Sequence, residues 1–183
     1  MRRTILRLNN YLRWALAPVM LMAAPSFAST AVVACFGSGT ITTNPLAGCP
    51  IGSTAIPIFS LSMGASQPVT FLRGGGAGQR AGIPNLSSVS LMQKLGGASD
   101  SLLQDLYAGK SVGPVVIALY EGRSQTPSFT ILLTGAYVNS WQVSGTEGGG
   151  DLVESISLSF TTISILDVAT NQTVSWDVVT NTP

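Results

Sequence analysis

From residue 31 onward, short apolar or alternating runs are separated by clusters of Gly, Pro, Asn and Ser, the pattern of an all-β sandwich or barrel. The predicted strands are the runs at 31–36 (continued by 41–43), 55–63, 88–93, 115–121, 128–134, 137–143, 153–166 and 173–179. Alternation is clearest in ESISLSF. Ile156, Leu158 and Phe160 fall on one face and Ser155, Ser157 and Ser159 on the other, because successive strand side chains point to opposite sides of a sheet. By the same period Asn139 and Trp141 share a face with Tyr137 and Val143. Asn171 and Gln172, just ahead of TVSWDVV, predict the turn of a terminal hairpin.

Two segments depart from this pattern. In ASDSLLQDLYAGK, Leu102, Leu103, Leu106 and Tyr107 recur at helical spacing. Ser99 is the expected N-cap, Asp100 suits the positive end of the helix dipole, and Gly109 is free to take the left-handed conformation that ends a helix, with Lys110 beyond it. One short amphipathic helix, about Ser99 to Ala108, is therefore expected, its apolar side covering an open end or side of a barrel. Residues 70–84 contain RGGGAGQRAG, too rich in glycine for a strand or helix, and are expected as an exposed flexible loop.

The first 28 residues do not belong to this pattern. Arg2, Arg3, Arg7 and Arg13 form a basic region, the apolar run 14–24 follows, and Ser26 and Ala28 occupy the small-residue positions of a cleavage site. Residues 1–28 thus read as a cleaved signal peptide and 29–183 as a single domain. General secretion needs only the positive charge, whereas Arg2 and Arg3 also fit a twin-arginine signal, so either route is open. A start at Met20 or Met22 would give a product without the basic region. Cleavage removes four of the nine basic residues and none of the eight acidic ones, leaving five against eight and a net charge of −3. That balance does not suit a nucleic-acid partner. The mean hydropathy of +0.40 reflects many small residues and few charges, because no later stretch is long enough to span a membrane as a helix.

Chemistry is sparse. With no histidine and two cysteines, neither Ser-His or Cys-His catalysis nor a zinc site is supported. In an exported chain Cys35 and Cys49 are expected to form a disulfide around a loop rich in Gly, Thr, Asn and Pro. Gly76-x-Gly78-x-x-Ala81 grazes a dinucleotide fingerprint, but Gly82-Ile83-Pro84 follows where a helix is required. Gly109-Lys110-Ser111 has Gln104 where a phosphate loop needs its first glycine. Asp151 with Glu154, or Glu147 with Asp151, would need a cleft to act as a hydrolytic pair, and none is indicated. Glu154 reads either as a residue opening a strand and paired with a base such as Lys110 or Arg123, or as a subunit-contact charge. Trp141 and Trp176 fit core or interface, or a stacking platform. No enzyme class, cofactor or metal is expected.

Several ordered stretches together resemble the Hcp family, the tube proteins of type VI secretion. They are SLSMGASQP at 60–68, the strand and helix of SSVSLMQKLGGASDSLLQDLYAGKSV at 87–112, the strand pair FTILLTGAYVNSWQVSG, and VESISLSFTTI. Ala98-Ser99, Leu102 and Gly109-Lys110 match the family's helix motif and its exit, while Gly96, Gly97 and Asp100 depart from it. The resemblance implies a mainly β fold, a barrel of two packed antiparallel sheets with one short helix. It also implies assembly into hexameric rings that stack as a tube and carry effector proteins in the lumen. The loop at 70–85 occupies the position of the family's ring-stacking loop, so Arg73, Gly74, Gly75, Gly76, Gly78 and Arg80 are the candidate stacking residues. Two features differ from the family: the signal peptide, and the cysteine-bracketed segment 29–50 in place of a compact first strand. Two functions follow as expectations. One is a structural ring-forming tube subunit or secreted carrier. The other is an exported periplasmic or extracellular β-barrel binding module that has left the tube.

Overall fold

The computed structural model describes residues 30–37, 49, 53–71, 79–122, 124–145 and 150–182. The signal segment, the predicted run 41–43 and the tip of the glycine-rich stretch lie outside them. In chain order the elements are β1 (Ala31–Phe36), β2 (Thr54–Ser62), β3 (Ala65–Ser66), β4 (Val69–Phe71), β5 (Gln79–Ala81), β6 (Asn85–Leu86), β7 (Val89–Lys94), α1 (Ser99–Ala108), β8 (Ser111–Tyr120), β9 (Phe129–Ser144), β10 (Val153–Ser159), β11 (Thr162–Asp167) and β12 (Gln172–Asp177).

Eight strands make one antiparallel sheet in the order β10-β7-β2-β1-β8-β9-β11-β12. Because β9 also pairs with β10, the first six close into a barrel, and β11 with β12 continues from the first half of β9. The expected two layers are the facing walls of this closed sheet. Alternation places Ala34, Ile56, Val89, Leu91, Val115, Ile117, Leu133, Ile156 and Leu158 inside as one buried cluster. Each such aliphatic side chain stabilises the fold by about 1.5–3 kcal/mol when fully withdrawn from water. Leu102 of α1 is buried in the same cluster, and Ala98 and Leu106 pack against it, so the apolar side of the helix covers one mouth of the barrel.

The predicted strands at 128–134 and 137–143 prove to be one strand, and the predicted run 153–166 proves to be two. Both differences have the same origin. Gly135 has φ +57°, which bends β9 without ending it. The first half of β9 then pairs with β11 and the second with β10, and the facing chain breaks at Phe160–Thr161 to follow the bend. Thr161 fills the elbow: its N–H and Oγ1 both reach the carbonyl of Thr134 at 2.9 Å. A second correction concerns Asn139. A register shift between Ser157 and Leu158 leaves Asn139 bulged, so it faces outward and donates to Ser88 and Ser159, whereas Trp141 turns to the core side. The two residues do not share a face.

Within the stretch expected as a structureless loop, Val69, Thr70 and Phe71 pair with Ala81, Arg80 and Gln79. Nearer the barrel, Ala65 and Ser66 pair with Leu86 and Asn85. The two short ribbons form a single arm that makes no strand pairing with the barrel sheet. Its stem is braced where Ser87 Oγ accepts from the Gly64 N–H at 2.8 Å and where Gly82 N–H donates to the Pro68 carbonyl at 2.7 Å.

The chain ends of β11 and β12 carry the same turn twice, Asp-Val-Ala-Thr-Asn from Asp167 and Asp-Val-Val-Thr-Asn from Asp177. Asp167 Oδ1 accepts from the N–H groups of Ala169 and Thr170, and Asp177 Oδ1 from those of Val179 and Thr180. Asn171 and Asn181 close the turns with φ +54° and +56°. The Thr170 hydroxyl, followed by the two backbone donors, lowers the Asp167 pKa from its ordinary 3.8. The Thr180 N–H, its hydroxyl and the Val179 N–H do the same for Asp177.

Candidate functional site

Gln93 and Glu154 are inward-pointing residues on neighbouring strands, directly opposite in the β7–β10 register, one step beyond Leu91 and Ile156. Both are buried, Glu154 with no exposed surface. A buried carboxylate needs donors. Glu154 Oε1 accepts from Gln93 Nε2 at 2.6 Å and from the Ser99 hydroxyl at 2.7 Å, and Oε2 accepts from Trp141 Nε1 at 2.7 Å. These partners are neutral, where the sequence suggested a base or a subunit contact. Ser99 also accepts from the Gly96 N–H at 2.9 Å. The residue expected as N-cap is instead the first residue of α1, after Ala98, and its hydroxyl is turned to the carboxylate. The signal for this cluster was present in the alternation: Gln93 and Glu154 are polar residues on the apolar face of their strands. The cluster joins β7, β9, β10 and α1, and it positions the helix on the barrel. Lys94 turns outward to Asp151 at 2.7 Å, an exposed pair of little energetic weight.

Cys35 and Cys49 are joined in a disulfide with Cα atoms 5.4 Å apart. Cys35 is buried near the end of β1. The adjoining residue Phe36 forms, with Ile56, Leu102 and Val112, the apolar lining of a cavity of about 450 Å³ between α1 and the barrel mouth. Ser101 and Asp105, one helical turn apart, are the polar side chains that α1 contributes to its lining. Asp105 makes no side-chain ion pair or hydrogen bond among the described residues. The sequence did not disclose this cavity, since its walls come from three distant segments.

Of the candidate stacking residues, Arg73, Gly74, Gly75, Gly76 and Gly78 lie outside the described residues, and Arg80 is placed in β5 of the arm. Two of the arm's apolar residues face solvent, Ile83 at 70 % exposure and Val69 at 47 %, whereas Leu86 at its base packs against the core. Away from the arm, the outer surface of β2, β7, β10 and β9 is hydroxyl-rich. The row Ser62, Ser90, Ser157 and Ser140 crosses all four strands, with Ser90 and Ser157 hydrogen-bonded at 3.1 Å. The adjoining row replaces two of these with Met92 and Gln142 and is equally free of charge. Among the described residues no helix is long and apolar enough to cross a membrane.

Residues 52–166 match the protein family described as type VI secretion system effector, Hcp. No curated protein matches the chain. Among solved structures, a type six secretion system protein aligns with TM-score 0.64 and 17 % identity, covering 84 % of this chain and 98 % of its own. Hcp1 from Salmonella typhimurium aligns with TM-score 0.62 and 17 % identity over 84 % of this chain and 97 % of its own. A chain of the anti-feeding prophage baseplate aligns with TM-score 0.58 and 21 % identity over 80 % and 99 %. At these identities the alignments establish a common fold.

Proposed function

This chain belongs to the Hcp family of type VI secretion, and from that premise we propose that it is a structural subunit which assembles with copies of itself into hexameric rings, stacks them, and carries effector proteins. The observation that carries this reading is the arm: a braced ribbon that leaves a closed barrel with Val69 and Ile83 turned to solvent has the form of a contact between copies. A closed barrel suits such repetition, since closure removes most free strand edges and leaves association to chosen surfaces. The uncharged hydroxyl face suits a carrier, because polar cargo could move along it without being held by ion pairs.

The protein acts outside the cytoplasm, after removal of residues 1–28. The disulfide between Cys35 and Cys49 supports this location, since such bonds persist in oxidising compartments. The same feature favours a second reading, an exported periplasmic or extracellular binding module that no longer forms part of a tube.

Intact mass and light scattering on protein recovered from cell fractions test both readings. A mass lacking residues 1–28 and two hydrogens, in a hexamer-sized particle outside the cytoplasm, is expected. A monomer at every concentration would eliminate the ring, and a co-purifying ligand on that monomer would leave the binding module.

A further inference from the structure

The cavity between α1 and the barrel mouth, about 450 Å³, has the size and the largely apolar lining of a small-molecule site, for which about 300–1,000 Å³ is usual. Phe36, Ile56, Leu102 and Val112 supply the apolar part, and Ser101, Asp105 and Ser111 are the polar side chains beside them. Ser111 is already engaged: its hydroxyl donates to the Ala136 carbonyl at 2.9 Å and accepts from the Gly113 N–H at 3.1 Å. The Ser101 hydroxyl and the Asp105 carboxylate have no partner among the described residues, and no basic side chain among them lines the cavity. Asp105 also opens the last turn of α1, where the helix dipole favours a cation and where no basic residue stands. The carboxylate is thus placed against the dipole, and among the described residues nothing in the fold offsets it.

These properties select a ligand class. An anion would meet Asp105 with no cation to offset the repulsion. A neutral apolar molecule would strip water from the carboxylate and the hydroxyl without replacing it, which is costly. A divalent metal ion needs several oxygen ligands, and among the described residues no acidic cluster could hold one. A protonated amine on an apolar body satisfies both parts of the lining, since an ammonium group donates to a carboxylate and a hydroxyl while its body covers aliphatic and aromatic surface. We propose that this cavity binds a small organic amine, with Asp105 as the counter-ion of its ammonium group, Ser101 as a second acceptor, and the apolar lining against its body. The inference goes beyond both readings of the protein and depends on neither ring formation nor export, because every feature it uses lies within one chain.

The test is calorimetric titration of the mature, disulfide-bonded protein, in whatever assembly it forms, with 2-phenylethylamine, 2-phenylethanol and phenylacetate, three probes that share a body and differ in charge. The amine is expected to bind about tenfold or more tightly than the other two. Asp105→Asn keeps the shape of the side chain and should bring the amine down to the affinity of the alcohol, leaving the alcohol unchanged. A Cβ added at Gly97 meets no atom within 4 Å, so Gly97→Leu can enter the open space of the cavity and should weaken amine and alcohol together. Circular dichroism and tryptophan emission check that each variant is folded. Equal affinity for the three probes, or no heat from any of them at about 10 mM, overturns the assignment. Amine binding that survives either variant unchanged lies elsewhere and overturns it as well. Light scattering on the same samples reports the ring separately, so the amine site and the ring stand or fall independently.

Discussion

Trp141 donates its indole N–H to Glu154 across 2.7 Å, from a strand whose bulge at Asn139 is what turns the tryptophan toward the core. Without that extra residue Trp141 would face outward, and the carboxylate would lack one of its three donors. Glu154→Ala leaves Gln93, Ser99 and Trp141 without their acceptor in a buried site. It should cost about 3–5 kcal/mol of stability, with a larger loss than Glu154→Gln. Denaturant unfolding followed by tryptophan emission measures this, and a loss under about 1 kcal/mol would show that the cluster does not hold the helix.

Gly135 tolerates no side chain. An added Cβ would lie 2.5 Å from Thr161 Oγ1 and 2.9 Å from its Cγ2, at a φ of +57° that L-residues avoid. Gly135→Ala should lower stability by about 2–4 kcal/mol, and Thr161→Ala in the same chain should recover only the steric part. Full recovery in the double variant would mean that the backbone conformation itself costs nothing.

Reduction should loosen the chain chiefly through its unfolded state. The bond joins residues 14 apart, so opening it returns about 3 kcal/mol of loop entropy to the unfolded ensemble. Thermal unfolding with and without reductant, repeated on Cys35→Ala with Cys49→Ala, should show the same lowered midpoint in the variant and in the reduced wild type. Equal midpoints in all samples would contradict a stabilising bond.

Acid should weaken the paired turns in a defined range. Asp167 and Asp177 titrate below 3.8 when folded. Their contribution is therefore present above the unfolded value and lost as pH falls through the lowered folded values. Stability followed from about pH 5 to about pH 2 should decline on that limb, and Asp167→Asn with Asp177→Asn should flatten it. An unchanged slope in the double variant would place the acid sensitivity elsewhere.

Alternation alone was enough to place Ile156 and Leu158 inside and Ser155 and Ser157 outside, because a strand has a fixed period of two. The helix was equally plain, its end marked by Gly109 at φ +61°. Features that change the period were not legible. The bulge at Asn139 and the bend at Gly135 each depend on what the opposite strand does, which a single run of sequence does not express. From the sequence Glu154 reads as a charge paired with a base or with another subunit. Its neutral partners come from residues 61, 55 and 13 positions away. The arm was hidden by its own glycines, since the three-residue pairing of Val69–Phe71 with Gln79–Ala81 lies at the margins of the glycine-rich stretch.

Closure of the sheet also dictates an order of events during folding. β8 and β9, β9 and β10, and β11 and β12 are neighbours in both sequence and space, so their contacts need only short loops. The β1–β8 pairing is the opposite case, since Ala31 meets Tyr120 across most of the domain. The entropic cost of bringing distant segments together delays such pairings until a template exists. The C-terminal strands should therefore form the nucleus, with the seam between β1 and β8 closed late. A chain emerging from its N-terminus can pair β1 with β2 early, but must keep the other edge of this apolar strand open until Ser111–Tyr120 has followed it out.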